Sequence, residues 1–135
     1  MGSYADDALF MSRNNIEYVE LISDDGKSKV MVIPAWQGRV MTTSAAGDEG
    51  DSYGWINYSF IKKRQIDLQF NPVGGEERFW LGPEGGVFSL YFRQGEKQIY
   101  KNWKVPPVLD IEAFKIQSQS KNCICLTKEG CLTNA

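Results

Sequence analysis

The chain contains no histidine. That absence removes serine–histidine triads, papain-type pairs and histidine acid–base catalysis, and leaves carboxylates, lysine and tyrosine for any proton chemistry. No apolar run approaches the length of about eighteen residues that a membrane-crossing helix needs. The opening MGSYADDALF has neither a basic region nor a continuous apolar core, so no signal peptide is present as written. A Met-Gly-Ser start is also what remains where a leader has been replaced. The expected location is therefore periplasmic or cell-envelope if a leader was removed, and cytoplasmic otherwise.

An excess of positive charge is lacking too: the formal net charge is −2. A nucleic-acid footprint needs a basic stripe, and the only basic cluster, Lys62-Lys63-Arg64, is short and reads as a solvated strand end. Cysteine is scarce, with three residues, Cys123, Cys125 and Cys131, near the C-terminal end. An odd count cannot close fully into intrachain disulfides. Without histidine or a fourth thiol, C-x-C…C lacks the usual zinc ligand set, so no metal or cofactor is expected and the cysteines read as small apolar strand residues.

What is present is β-rich. With 135 residues, 42% hydrophobic and 24% charged, the chain has the make-up of one soluble domain spanning residues 1–135. Residues 18–22 and 29–34 form a hairpin pattern around Asp25-Gly26, and residues 38–44 continue as a third strand. Residues 53–60 are dense in aromatics and fit a strand or a short helix. Alternation predicts a half-buried strand at 65–70, a buried one at 87–92, and two more at 114–120 and 122–127. One short helix is predicted at 6–13. Short strands punctuated by glycine and proline give the expected class, an all-β antiparallel β-sandwich.

The segment Asn71–Gly86, NPVGGEERFWLGPEGG, stands apart from ordinary connections. Glycine permits positive φ and proline fixes φ, so the segment is expected to hold an irregular shape. It carries Glu76, Glu77, Arg78 and Glu84 around Phe79, Trp80 and Leu81, as loop sites on β scaffolds do. Arg78 has two readings: a bidentate donor to diol oxygens, or a structural ion pair with Glu76 or Glu84 that pins the loop. Arg39 has the same two. Neighbouring glutamates on a strand point opposite ways, so Glu76 and Glu77 make a poor catalytic pair, whereas Glu77 with Glu84 requires the GPEGG turn to fold back.

Four tryptophans, Trp36, Trp55, Trp80 and Trp103, each lie beside charged or amide groups. Sugars present apolar C–H faces and hydroxyl edges, and aromatic platforms flanked by such groups hold them. Tryptophan is also a common filler of β cores, which is the competing reading at every one of these positions.

Residues 34–50, 53–61, 71–92 and 102–114 resemble a family of uncharacterised proteins frequent in gut Bacteroidetes, itself similar to the galactose-mutarotase-like superfamily with the aldose 1-epimerase fold. The block GGEERFWLGPEGG is the most specific part of that resemblance. Those proteins are much longer, and this chain is similar to their N-terminal portion. The unfinished look of Gly130–Ala135 agrees with an N-terminal fragment. The resemblance implies a twisted β-supersandwich whose concave face binds a sugar, with Arg39 in the early segment from which an arginine can reach toward it.

In aldose 1-epimerases a glutamate base and a histidine acid open the pyranose ring. Neither role carries over to a residue here, so no catalytic residue is expected and this polypeptide alone is not expected to be a mutarotase. The expected function is that of a carbohydrate-associated domain, with Arg39, Glu77, Arg78, Trp80, Glu84 and Trp103 as candidate ligand-binding residues. Whether the longer family members catalyse an epimerase-like or glycoside-processing reaction stays open. The alternatives are a stand-alone carbohydrate-binding module, and an interaction domain that self-associates through uncovered strand edges.

Overall fold

A computed structural model of the chain describes residues 2–134. Helix α1 spans Tyr4–Arg13. Ser3 starts it with a capping box: the Asp6 amide donates to Ser3 Oγ at 3.1 Å, and the Ser3 amide donates to the Asp6 carboxylate at 3.1 Å. The buried positions Tyr4, Asp7 and Met11 recur at helical spacing and turn one face inward.

Strands β1 (Val19–Ile22), β2 (Lys29–Ile33) and β3 (Arg39–Ser44) form an antiparallel sheet in that order. The β1–β2 hairpin closes as expected, with Val19 opposite Val32 and Ile22 opposite Lys29. At its tip Asp25 Oδ1 accepts from Ser23 Oγ (2.6 Å) and the Lys27 amide (3.0 Å), while Gly26 takes the left-handed conformation that the turn demands. Strands β4 (Lys115–Gln119) and β5 (Ile124–Thr127) pair as a second antiparallel hairpin. It is tied to the first sheet where the Ile22 amide donates to Lys121 O (2.8 Å), and the Phe114 amide donates to Pro34 O (2.9 Å). The chain is thus β-rich, with two antiparallel sheets and few helices.

Two apolar clusters hold these elements. The first joins Tyr4 and Met11 of α1 to Met31, Ile33, Met41, Ile56, Ile61 and Val73. A buried polar knot stitches it: Asp7 accepts from Ser52 Oγ and from the Tyr58 hydroxyl, and Ser52 Oγ lies 2.5 Å from Thr42 Oγ1. The second is built on Tyr91, Val105 and Leu109, with Phe70, Trp80 and Trp103 packed around them.

The region between the sheets corrects several sequence expectations. Residues 53–60 are neither a single strand nor a single helix. Ile56 bridges to Gly74, and then Asn57 caps helix α2 (Tyr58–Lys62) by accepting from the Phe60 amide at 3.2 Å. Lys62-Lys63-Arg64 therefore closes a helix and is not a strand end.

No strand forms at 65–70 or 87–92. In the first, the Asp67 amide donates to Asn71 Oδ1 and the Gln69 amide to Asp67 Oδ1, which diverts backbone donors that a ladder would need. Ile66 and Leu68 are left exposed. In the second, Ser89 Oγ accepts from the Tyr91 and Phe92 amides and donates to Glu84 O, winding the chain into turns. The cysteine reading is corrected as well. Cys123, Cys125 and Cys131 are exposed free thiols: in β5 the half-covered face is taken by Ile124 and Leu126, which leaves Cys125 on the open one.

Among the described residues no helix is long and apolar enough to cross a membrane.

Candidate functional site

The segment 71–86 is irregular, as its composition predicts, and its two halves do different things. The first half crosses the open side of β3. Val40 donates its amide to Glu77 O (3.0 Å), and Glu76 reaches the Thr43 amide (2.5 Å) and hydroxyl (3.0 Å). Gly74 and Gly75 sit at φ +95° and +110°. A Cβ at Gly74 would fall 2.2 Å from Trp55 O, and one at Gly75 would fall 2.9 Å from Arg39 Cδ. Both glycines are therefore required by close approach as well as by φ.

The second half builds an aromatic stack. Tyr100 stacks on Trp103 at 6.1 Å (18°), Trp103 on Tyr91 at 5.8 Å (7°) and Tyr91 on Trp80 at 5.1 Å (26°), and Trp80 also lies 6.5 Å from Trp103, so the rings close into a cluster. The Arg78 guanidinium lies 4.3 Å from the Trp80 ring and flanks the cluster with a cation–π contact. Trp80 Nε1 donates to the Glu84 carboxylate at 2.6 Å. The Tyr91 hydroxyl donates to Leu81 O (2.5 Å), and burial, with the nearby Glu84 charge, pushes its pKa up to about 12.

Arg78 is a structural ion pair, though with neither partner expected from sequence. Its Nη2 donates to Asp110 Oδ1 (3.2 Å) and to Leu109 O (2.5 Å), while Glu76 is engaged with Thr43 and Glu84 with Trp80. Asp110 belongs to the short helix α3 (Pro107–Asp110), and its side chain is only 2% exposed. Its other oxygen accepts from the Asn71 amide (2.7 Å) and from Asn71 Nδ2 (2.8 Å).

On the other side of this pair lies a cavity of about 330 Å³. Trp36, Phe60, Ile16, Ile61, Val73 and Ile111 give it apolar walls. Arg39, Asn71 and Asp110 are its buried polar groups, and Arg64 and Gln65 also line it. Arg39 is 5% exposed. Its Nη1 donates to Gly74 O (2.7 Å), and its Nε has no hydrogen-bond partner. Burial, followed by the repulsion of Arg78, pulls its pKa down to about 10 against the opposing attraction of Asp110.

An apolar cavity with a few convergent polar groups and a perturbed ionisable one is the usual form of a small-ligand site. A larger cleft of about 700 Å³ runs along Leu90–Gln94, Lys101 and Lys104–Pro107. It contains no unpartnered buried side-chain group, so the smaller cavity is the better candidate.

The six residues singled out by sequence thus fall into three places. Arg78, Trp80, Glu84 and Trp103 share the aromatic cluster, where each contacts protein. Arg39 lines the cavity. Glu77 is exposed and meets neither, its carbonyl bridging to Val40 instead. Asn71 and Asp110 were missed as site residues. The signal was there for Asp110, a single acid inside the apolar run VPPVLDI, because a carboxylate in such surroundings is normally buried with a partner. Among the described residues no group of three or more cysteines and carboxylates is placed to hold a metal ion.

Comparison with known proteins finds no match among curated proteins and none among solved structures. Residues 2–135 match DUF6786, described as a family of unknown function. With nearly its whole length covered by that match, the chain belongs to the DUF6786 family.

Proposed function

We propose that this chain is a carbohydrate-binding β-rich domain, related to the galactose-mutarotase-like sandwich folds, that holds one sugar unit in the cavity beside Arg39. The observation that carries the reading is the cavity itself. Its volume of about 330 Å³ corresponds to about eleven waters at liquid density, enough for a single sugar ring. Trp36 and Phe60 offer faces for the C–H side of a pyranose, and Arg39 and the exposed Arg64 offer donors for its hydroxyls. The role is recognition and not turnover. The chain has no histidine, and the buried carboxylate at the cavity, Asp110, is already occupied by three donors.

Ligand-observed NMR on the purified chain with galactose, glucose and plant and host oligosaccharides tests this, beside an anomerisation assay. Saturable binding without anomerisation supports the reading. A folded chain that binds no sugar overturns it.

A second reading has its own observation. Leu68, Val87, Phe88, Ile99 and Tyr100 are all more than half exposed, and β4 is exposed along its length. Apolar surface and an open strand edge favour pairing with another chain. Light scattering across a concentration series separates the two, since self-association without sugar binding selects the interaction domain.

A further inference from the structure

We propose that the sugar taken by this cavity is an acidic one, carrying a uronate carboxylate or a sulfate ester whose oxyanion pairs with Arg39. The inference rests on the carbohydrate reading and sharpens it. It follows from a count of charges at the cavity. Three charged residues line it: Arg39, Arg64 and Asp110. The charge of Asp110 is already matched, because Arg78 pairs with one carboxylate oxygen and Asn71 donates twice to the other. Arg39 has no such partner. Its hydrogen bond goes to the neutral carbonyl of Gly74, and its nearest charged neighbours include a second guanidinium, Arg78.

A guanidinium withdrawn from water without a counter-ion is costly, and proteins ordinarily retain one only with a partner. Here Asp110, the one acid at the cavity, is engaged by Arg78 and Asn71 and makes no hydrogen bond to Arg39, whose Nε is enclosed without a partner while the residue lines the cavity. Guanidinium presents a planar fork of donors that matches a carboxylate or a sulfate. Arg64, exposed and also lining the cavity, adds a second positive charge for the approach of an anion. A neutral sugar would fill the same volume and leave Arg39 with no anion hydrogen-bonded to it.

The experiment is a calorimetric titration of the intact chain with galacturonate and glucuronate, with galactose and glucose as neutral partners and glucose 6-sulfate as the second anion. The charge-assisted contact predicts at least about tenfold tighter binding of an acidic sugar than of its neutral partner. Raised salt should narrow that gap. Preference for uronate over sulfate, or the reverse, names the group. Equal affinity for acidic and neutral sugars overturns this inference and leaves the carbohydrate reading standing. Failure of every sugar overturns the reading itself. Acetate or sulfate alone binding as tightly as the acidic sugar would reduce the site to a simple anion site.

Arg39→Gln should abolish the preference. Because Arg39 also supports Gly74, Arg39→Lys and the exposed Arg64→Gln keep the test open if that variant fails to fold. Each should weaken acidic-sugar binding several-fold, and no change in either overturns the proposal.

Discussion

Asp110→Ala should be among the most damaging single substitutions in this chain. Its carboxylate is 2% exposed and accepts from Arg78, from the Asn71 amide and from Asn71 Nδ2. Truncation leaves three donors behind. An unpartnered buried amide costs about 1–3 kcal/mol, and breaking a buried ion pair from one side costs about 3–5 kcal/mol. Arg78 softens the loss, because its side chain is 18% exposed and keeps Leu109 O and the Trp80 face. The working figure is about 3–4 kcal/mol, a large share of the stability of about 5–15 kcal/mol typical of a domain.

Urea unfolding followed by circular dichroism would read that loss as a lower midpoint at unchanged slope. In thermal melts it corresponds to about 10 °C, at about 3 °C per kcal/mol for a chain of this size. A double-mutant cycle with Arg78→Met isolates the pair. Once Arg78 is gone, removing Asp110 should cost less, giving a coupling energy of about 1–3 kcal/mol. A cost below about 1 kcal/mol for Asp110→Ala, or a strictly additive cycle, would refute the buried-pair account.

Other expectations follow from the same contacts. Trp80→Ala should lower stability by about 2–3 kcal/mol, less than a fully buried tryptophan because Trp80 is half-buried, while leaving sugar affinity intact. Unchanged melting with lost binding would move the site to the aromatic cluster. Gly75→Ala forces an L-residue to φ +110° and drives a methyl against Arg39, with a strain cost of about 1–3 kcal/mol; a melting temperature equal to wild type would contradict the geometry.

Tyr91 predicts a pH dependence. Its hydroxyl ionises near the ordinary value of 10 when unfolded and near 12 when folded, so the neutral form is favoured by folding. Its contribution is complete below pH 10 and is lost as pH rises through 12. Tyr91→Phe should flatten the fall in stability between pH 10 and 12, measured by urea midpoints, and an unaltered slope would rule this residue out as its source.

The sheets were legible because their signals are local. Asp25-Gly26 between alternating runs places the β1–β2 hairpin, and 114–120 and 122–127 alternate cleanly enough to place β4 and β5 within a residue or two. Ser3 with Asp6 three positions later would have started α1 at Tyr4, two residues before the expected Asp6. The failures at 65–70 and 87–92 share one cause. Asp67, Asn71 and Ser89 capture backbone amides in turns, and alternation of apolar residues cannot register that competition.

The candidate site was only partly legible for a different reason. Arg78 stands out between acidic residues and an aromatic, and Arg39 beside Gly38 at the head of a strand. The partner of Arg78 is nonetheless Asp110, 32 positions along the chain, and a cavity joining β3, α2 and α3 is a product of packing that no linear spacing displays.

The most direct test of a sugar site at Arg39 is NMR shift mapping on labelled protein, following the Trp36 indole, the Asn71 side-chain amide and the Arg39 Nε–H during titration with galacturonate. The account predicts saturable shifts at all three with a common affinity, and little change at the indoles of Trp80 and Trp103. Saturable shifts confined to Trp80 and Trp103, or none anywhere, would contradict it.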